Sequence, residues 1–326
     1  MILRFIFVKQ HTESMSKFLQ LPIVKPIIDF LKAIKLPGFF GFSVYDLIEM
    51  YVIGIFKGAL TSRAGSISFS FFMALFPFLL FILNLIPFVD MIPFIHIENF
   101  DETFLKYIEL FIPTETQGFF TEIFEDIRSK PRGGLLSSVF LLSIFLSANG
   151  ISSIFGSFEV SYHVNFSRNF FKQYFLSVAL SVFLAFFSLF AVIVTFYFEI
   201  YILSNLDSLI ASEIRWTRIG QTAFFGGYIY VVVGMLYYFG TIEGRKIRFF
   251  SPGALMTTLL FFLTTYGFGV YIENFSTYNQ LYGSIGALLI FLLYIWINSN
   301  ILLLGFELNA TLFRFKREPK IASDER

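Results

Sequence analysis

The chain has no cysteine, which excludes disulfides, thiolate nucleophiles and cysteine-based metal sites. It is also short of charge: 14% of its residues are Asp, Glu, Lys or Arg, against roughly 25% in a soluble domain. Histidine is scarce, and His11, His96 and His163 stand far apart in the chain. No H-x-H-x-D-H ligand run, Walker loop or G-x-S-x-G elbow occurs. Metal-dependent hydrolysis, nucleotide hydrolysis and serine acyl transfer therefore have no visible machinery, and no catalytic residue, metal or cofactor is expected.

What the chain has instead is apolar surface. Hydrophobic residues make up 56% of it and the mean hydropathy is +0.73, the composition of a membrane protein. Six stretches reach the roughly 17–25 residues that a transmembrane helix needs. They run from Ile67 to Val89, Leu135 to Phe155, Tyr174 to Phe198, Ile219 to Gly240, Gly253 to Ile272 and Ile285 to Phe306. The expected fold is all-α and polytopic, with six spans and both termini on one side. Met1 to Val8 is apolar but short and has no small-residue cleavage site after it, so no cleaved leader is expected.

Charge placement chooses the side. Of the 24 lysines and arginines, eighteen fall before the first span, in the second-to-third and fourth-to-fifth connections, and in the tail. By the positive-inside rule both termini are cytoplasmic. The expected organisation is a cytoplasmic region over 1–62, a six-helix membrane domain over 63–310 and a basic cytoplasmic tail over 311–326. Residues 90–134 form the first external loop. That loop is acidic, and Phe100, Phe104, Ile108 and Phe111, then Phe119, Ile123 and Ile127, recur at helical spacing on either side of Pro113. Two short amphipathic helices are expected there, lying on the membrane surface or capping a cavity. Ser43 to Asp46 fits a capping box, and an amphipathic helix is expected after it, ahead of the first span.

Polar residues inside the spans are the candidate site, because an unpartnered polar group in hydrocarbon costs a few kcal/mol, about 2–7 by transfer. Arg63, Ser66, Ser70, Met73, Pro77 and Asn84 fall along one stripe of the first span. They line a cavity, or they mark a structural kink at Pro77 with serines bonded to their own helix. On the second span Ser138, Asn149, Ser152 and Gly156 share a face that suits close helix packing. Gly220, Gly227 and Gly234 mark a packing stripe on the fourth span. The sixth span carries Asn298 and Asn309 on one side, with Asn300 and Glu307 nearly opposite, which places it centrally in a bundle. For Glu307 the structural reading is a salt bridge to Arg63, Arg245 or Arg248, or snorkelling. The functional reading is proton or cation coupling, or the anchor of a gate.

Several blocks together resemble a known family. Arg63-Ala-Gly-Ser-Ile-Ser-Phe-Ser-Phe-Phe-Met-Ala-Leu-Phe-Pro77 is similar to the first-span signature of the YihY/BrkB family of bacterial inner-membrane proteins. So are Ser251-Pro-Gly-Ala254, Tyr282-Gly-Ser-Ile-Gly-Ala287, Trp296 and Leu304-Gly-Phe-Glu-Leu-Asn-Ala310. The resemblance implies six spans with cytoplasmic ends, in the bacterial inner membrane. It implies little about activity: members were once labelled ribonuclease BN, others are called serum-resistance or virulence factors, and some are proposed to move lipid-like envelope precursors. The sequence departs from the family pattern after Gly150, where Ser152, Gly156 and Glu159 replace basic residues and an asparagine. The function expected is a transporter or flippase-like protein for an amphipathic or lipid-linked envelope substrate; the alternative is a non-transporting scaffold or envelope-integrity factor. The expected partners are membrane lipids and a lipid-like or small-molecule substrate, with no nucleic acid.

Overall fold

The computed structural model describes residues 24–34, 43–45, 48–49, 60–85, 121–122, 125, 133–161, 168–197, 213–242, 244, 248–274 and 284–324. Its seven main helices are α1 (Val24–Ala33), α2 (Leu60–Leu85), α3 (Gly133–Glu159), α4 (Phe170–Tyr197), α5 (Glu213–Gly240), α6 (Pro252–Asn274) and α7 (Ser284–Asp324). Five contain segments long and apolar enough to cross a membrane: Leu141–Glu159, Phe170–Thr195, Ile219–Gly240, Pro252–Tyr271 and Leu289–Phe313. The protein is an all-α membrane protein. The expected first span is not among the five; its residues up to Leu85 belong to α2, and 86–89 lie outside the described residues.

The helices outrun the apolar runs that announce them. Hydropathy reports only the stretch that hydrocarbon must cover, whereas the backbone keeps its hydrogen bonds into flanking polar residues. α2 thus begins at Leu60, ahead of Arg63, and α7 continues through its basic end to Asp324.

Two compact units are present, Ala59–Ala310 and Met1–Gly58 with Thr311–Arg326. In the larger unit α2 and α3 form the most extensive helix pair, and α4 and α5 both pack against α3. Gly150 marks the closest approach of that pair, since a Cβ there would lie 2.8 Å from the Cβ of Ala74. α6 packs against α5. In the smaller unit Lys32 lies 4.8 Å above the ring of Tyr45, and the Val44 amide donates to the Ile34 carbonyl at 3.0 Å. α1 falls in a segment that reads from sequence as mixed and basic; Pro26 sits in its first turn, where a missing N–H costs nothing.

The amphipathic helices expected in the first external loop lie outside the described residues, apart from helical Thr121, Glu122 and Glu125. Of the helix expected after Ser43, only 44–45 and 48–49 are described, and all four are helical. One expectation is corrected. The glycine stripe on the fourth span is not a continuous packing seam: a Cβ on Gly234 would crowd Phe249, but one on Gly227 would meet nothing within 4 Å. A seven-residue repeat shows which residues share a face without showing that a neighbour covers it.

Candidate functional site

Arg63, near the start of α2, meets the end of α3 and the later part of α7. Its Nη1 lies 2.8 Å from Glu307 Oε1, and its Nε donates to the Ser157 carbonyl at 2.8 Å. Ser161, just past α3, donates to Glu307 Oε2 at 2.7 Å. Arg63 is 7% exposed and Glu307 2%. Both charges are removed from water, and both carboxylate oxygens and the guanidinium Nε and Nη1 are met by fixed partners, which offsets the cost of burying them. The group is therefore a clamp between α2, the α3 end and α7. Higher on the same pair of helices, Ser68 Oγ lies 3.1 Å from Ser299 Oγ.

Asn309 does a different job two residues along. α6 opens with Ser251 at its cap position and Pro252 in its first turn, a proline that has no N–H to satisfy. The next amide, that of Gly253, donates to Asn309 Oδ1 at 2.9 Å, and the Ala254 amide donates to Ser251 Oγ at 3.3 Å. Asn309 Nδ2 then donates to Ser251 Oγ at 2.8 Å. The orphan donors of a buried helix start are thus met from two helices at once. Asn309→Ala should lower stability by about 1–2 kcal/mol, the usual loss for a cap with one buried donor left open. Hydrogen exchange at the Gly253 amide is the direct check, and unchanged protection there would rule the cap out.

That cap requires α6 and α7 to touch backbone to backbone. A Cβ on Gly253 would lie 2.1 Å from the Gly305 carbonyl oxygen, and one on Gly305 would lie 1.9 Å from Thr257 Oγ1. Tyr237 of α5 closes the contact, donating to the Leu302 carbonyl at 2.7 Å and sharing a 2.7 Å hydrogen bond with Thr257 Oγ1. Beside it, Phe158 and Phe306 stack with centroids 4.1 Å apart, and Tyr237 packs edge-on against both. Helix starts and ends thus gather at one end of the bundle: the α2 start, the α3 end, the α5 end, the α6 start and the Glu307 region of α7.

A groove of about 1240 Å³ lies to the side of this clamp, between α3, the start of α4 and the residues after α5. Its polar lining is Asn149, Arg168, Asn169 and Lys172. Its apolar wall includes Phe145, Phe170, Phe171 and Phe175, which are 52, 68, 79 and 76% exposed. Tyr174 holds that wall in register, donating to the Phe145 carbonyl at 3.0 Å while its ring lies against Phe145 and Phe170. Arg168 donates from Nη1 to the Phe239 carbonyl at the end of α5, and its amide donates to Glu159 Oε1 at 3.0 Å. The groove is thus amphipathic, cationic at its rim and aromatic below.

The sequence candidates separate on this map. Arg63, Glu307 and Asn309 belong to the clamp and cap, and Asn149 lines the groove. Asn298 and Asn300 are half-buried and donate to carbonyls of their own helix, Tyr294 at 2.9 Å and Trp296 at 2.7 Å. Ser66 is exposed, and Ser70 and Pro77 are half-buried; the side chain of Asn84 lies outside the described ones. Ser152 and Gly156 face α4, where Gln173 Nε2 donates to the Ser152 carbonyl at 3.0 Å. Sequence reasoning passed over Ser68, Ser161, Tyr237 and Thr257. Ser68 and Ser251 lie inside the signature blocks, the one signal that could have singled them out. Among the described residues no group of three or more His, Asp or Glu side chains is gathered so as to hold a metal ion.

Comparison with known proteins places these elements in a family. The chain is 26% identical over 266 residues to a ribonuclease-like protein of Bacillus subtilis, YfkH, covering 79% of this chain and 92% of that one. It is 39% identical over 75 residues to a UPF0761 membrane protein of Xanthomonas oryzae, and 33% identical over 91 residues to one of Xanthomonas campestris. Those two matches cover 23 and 28% of this chain, and 18 and 21% of theirs. No solved structure matches the chain. The model of the virulence factor BrkB family matches residues 56–326, the whole of the clamp, cap and groove, so the chain belongs to the BrkB family of membrane proteins.

Proposed function

We propose that this protein is a six-span inner-membrane protein with cytoplasmic termini that binds an amphipathic or lipid-linked envelope substrate and carries it across the bilayer. The observation that carries this reading is the lateral groove, whose cationic rim and exposed aromatic wall match the two halves of an amphiphile. The charge asymmetry of the connections supports the orientation. The protein acts without catalysis in this reading. In this reading the ribonuclease-like name of its Bacillus relative does not extend to it, because metal-dependent RNA hydrolysis needs clustered ligands, and its three histidines are scattered along the sequence.

The test is flux. Full-length protein in liposomes should accelerate movement of a labelled lipid or lipid-linked solute between leaflets above the rate of empty liposomes. Equal rates across several lipid classes, with folding intact, would sink the transport reading.

A second reading, a non-transporting scaffold, is favoured by one observation. The polar residues Arg63, Glu307 and Asn309 are spent on joining helices. The two readings part on mutation. Alanine at Asn84, Asn149 and Asn298 should abolish cellular function if these residues line a path. Exchange of the Glu98 to Asp126 loop should abolish it instead if docking is the purpose.

A further inference from the structure

We infer that the groove beside α4 is a binding site for one anionic phospholipid of the surrounding bilayer, its phosphate held at the Arg168 and Lys172 rim and an acyl chain lying along the phenylalanine wall. The inference deepens the transport reading, on which it rests for any movement of the lipid. Four observations carry it.

The first is charge. Lys172 is exposed on the groove, and Arg168 is fixed at its edge by the Phe239 carbonyl and by Glu159, which takes the Arg168 amide. The 28-residue helix α4 opens at the same rim, where Asn169 Oδ1 takes the Phe171 amide at 3.2 Å, so its positive end adds to the two cations. A phosphate diester meets the exposed Lys172 ammonium and a helix start here, with Arg168 set behind them against Glu159, and a zwitterion would set its own ammonium against that field.

The second is depth. α4 rises about 1.5 Å per residue, which puts Val178, the deepest α4 residue of the lining, roughly 12 Å below Phe170. Half of a hydrocarbon core is about 15 Å. The lining along α4 is therefore about as long as one leaflet is deep.

The third is size: about 1240 Å³ exceeds the roughly 300–1,000 Å³ of small-molecule pockets, which suits a headgroup with chain attached. The fourth is the wall itself. Tyr174 pins Phe145 and Phe170 in place, so an acyl chain would meet an exposed but ordered aromatic surface.

The experiment is native mass spectrometry of the full-length protein in detergent, titrated with phosphatidylglycerol, with phosphatidylcholine of the same chains, and with inorganic phosphate. Phosphatidylglycerol should be retained over phosphatidylcholine. Lys172→Gln should lower that retention roughly fivefold, the factor for losing one cation near an anionic lipid, while leaving phosphatidylcholine retention unchanged, and Lys172→Arg should restore it. Equal retention of the two lipids, or no effect of Lys172→Gln, overturns the inference; so does competition by inorganic phosphate, which would make this a site for a soluble anion.

A second measurement does not depend on any variant. Phosphatidylglycerol with a photoactivatable acyl chain, in phosphatidylglycerol and phosphatidylcholine vesicles, should cross-link to 145–149 and 170–178. Cross-links spread equally over other exposed faces, such as Leu255, Leu259 and Leu263, would overturn it. Binding is thus measured apart from flux: a lipid held without movement defeats transport alone, and movement without a held lipid defeats this site alone.

Discussion

Glu307→Ala should destabilise the protein by about 3–5 kcal/mol, the loss expected when one partner of a buried ion pair is removed. The carboxylate accepts from both Arg63 and Ser161, and its removal strands the Arg63 charge in a site that is 7% exposed. Thermal unfolding in a mild detergent is the measurement. The companion experiment separates structure from function. Replacing both residues with apolar side chains of similar volume, Arg63→Met with Glu307→Leu, should recover most of the lost stability, because buried pairs often contribute little over a packed apolar contact. If the double variant is stable and still functions in the cell, the pair is a clamp. If it is stable and inactive, the carboxylate has a further role in coupling or gating.

Gly305→Ala carries the second large effect. The new Cβ would fall 1.9 Å from Thr257 Oγ1, 2.5 Å from Tyr237 Oη and 2.6 Å from the Gly253 carbonyl oxygen. A rotated hydroxyl could relieve the first of these, but the backbone of α6 cannot yield without losing its cap on Asn309. Overpacking of this kind costs about 1–3 kcal/mol, and the backbone contact puts the expectation at the upper end. The same unfolding assay provides its control. Gly227→Ala meets open space, and removing a mid-helix glycine should leave stability unchanged or raise it by up to about 1 kcal/mol. A loss at Gly227 as large as that at Gly305 would show that the close α6–α7 approach is not what makes Gly305 sensitive.

The long apolar runs predicted helices over most of their observed lengths, and the amides and carboxylate of the sixth span marked that helix as one with no wide apolar side. Near Glu307 the helix is in fact enclosed, with Phe306, Glu307, Leu308 and Asn309 all buried. The polar stripe of the first span was less informative. It pointed to Ser66 and Ser70, whereas Ser68 is the buried serine that meets α7, and Ser66 is exposed. In a soluble helix the apolar stripe shows which way is in. In a membrane helix lipid and core are equally apolar, so spacing groups residues on a face without orienting it.

The groove was not legible at all. Asn149 was singled out, but Arg168 and Lys172 counted only among the basic residues of the second-to-third connection that set orientation, and the wall phenylalanines only within the hydrophobic fraction. These residues come from α3, the start of α4 and the chain after α5, and no local pattern places them together.

By itself, the sequence settled the membrane class, the helical fold and the family signature, because apolar run length and the order of the blocks are properties of the chain alone. Which polar residues serve which end was decided by the tertiary structure. Arg63 and Glu307 are 244 positions apart, and Gly253 and Asn309 are 56 apart. Three arginines were open to Glu307, and the antiparallel approach of α2 and α7 gives it Arg63. The same packing turns Asn309 into the cap of α6 and leaves Asn149 on an open groove, because in hydrocarbon each polar group is fixed by whichever partner the helix crossings bring within reach.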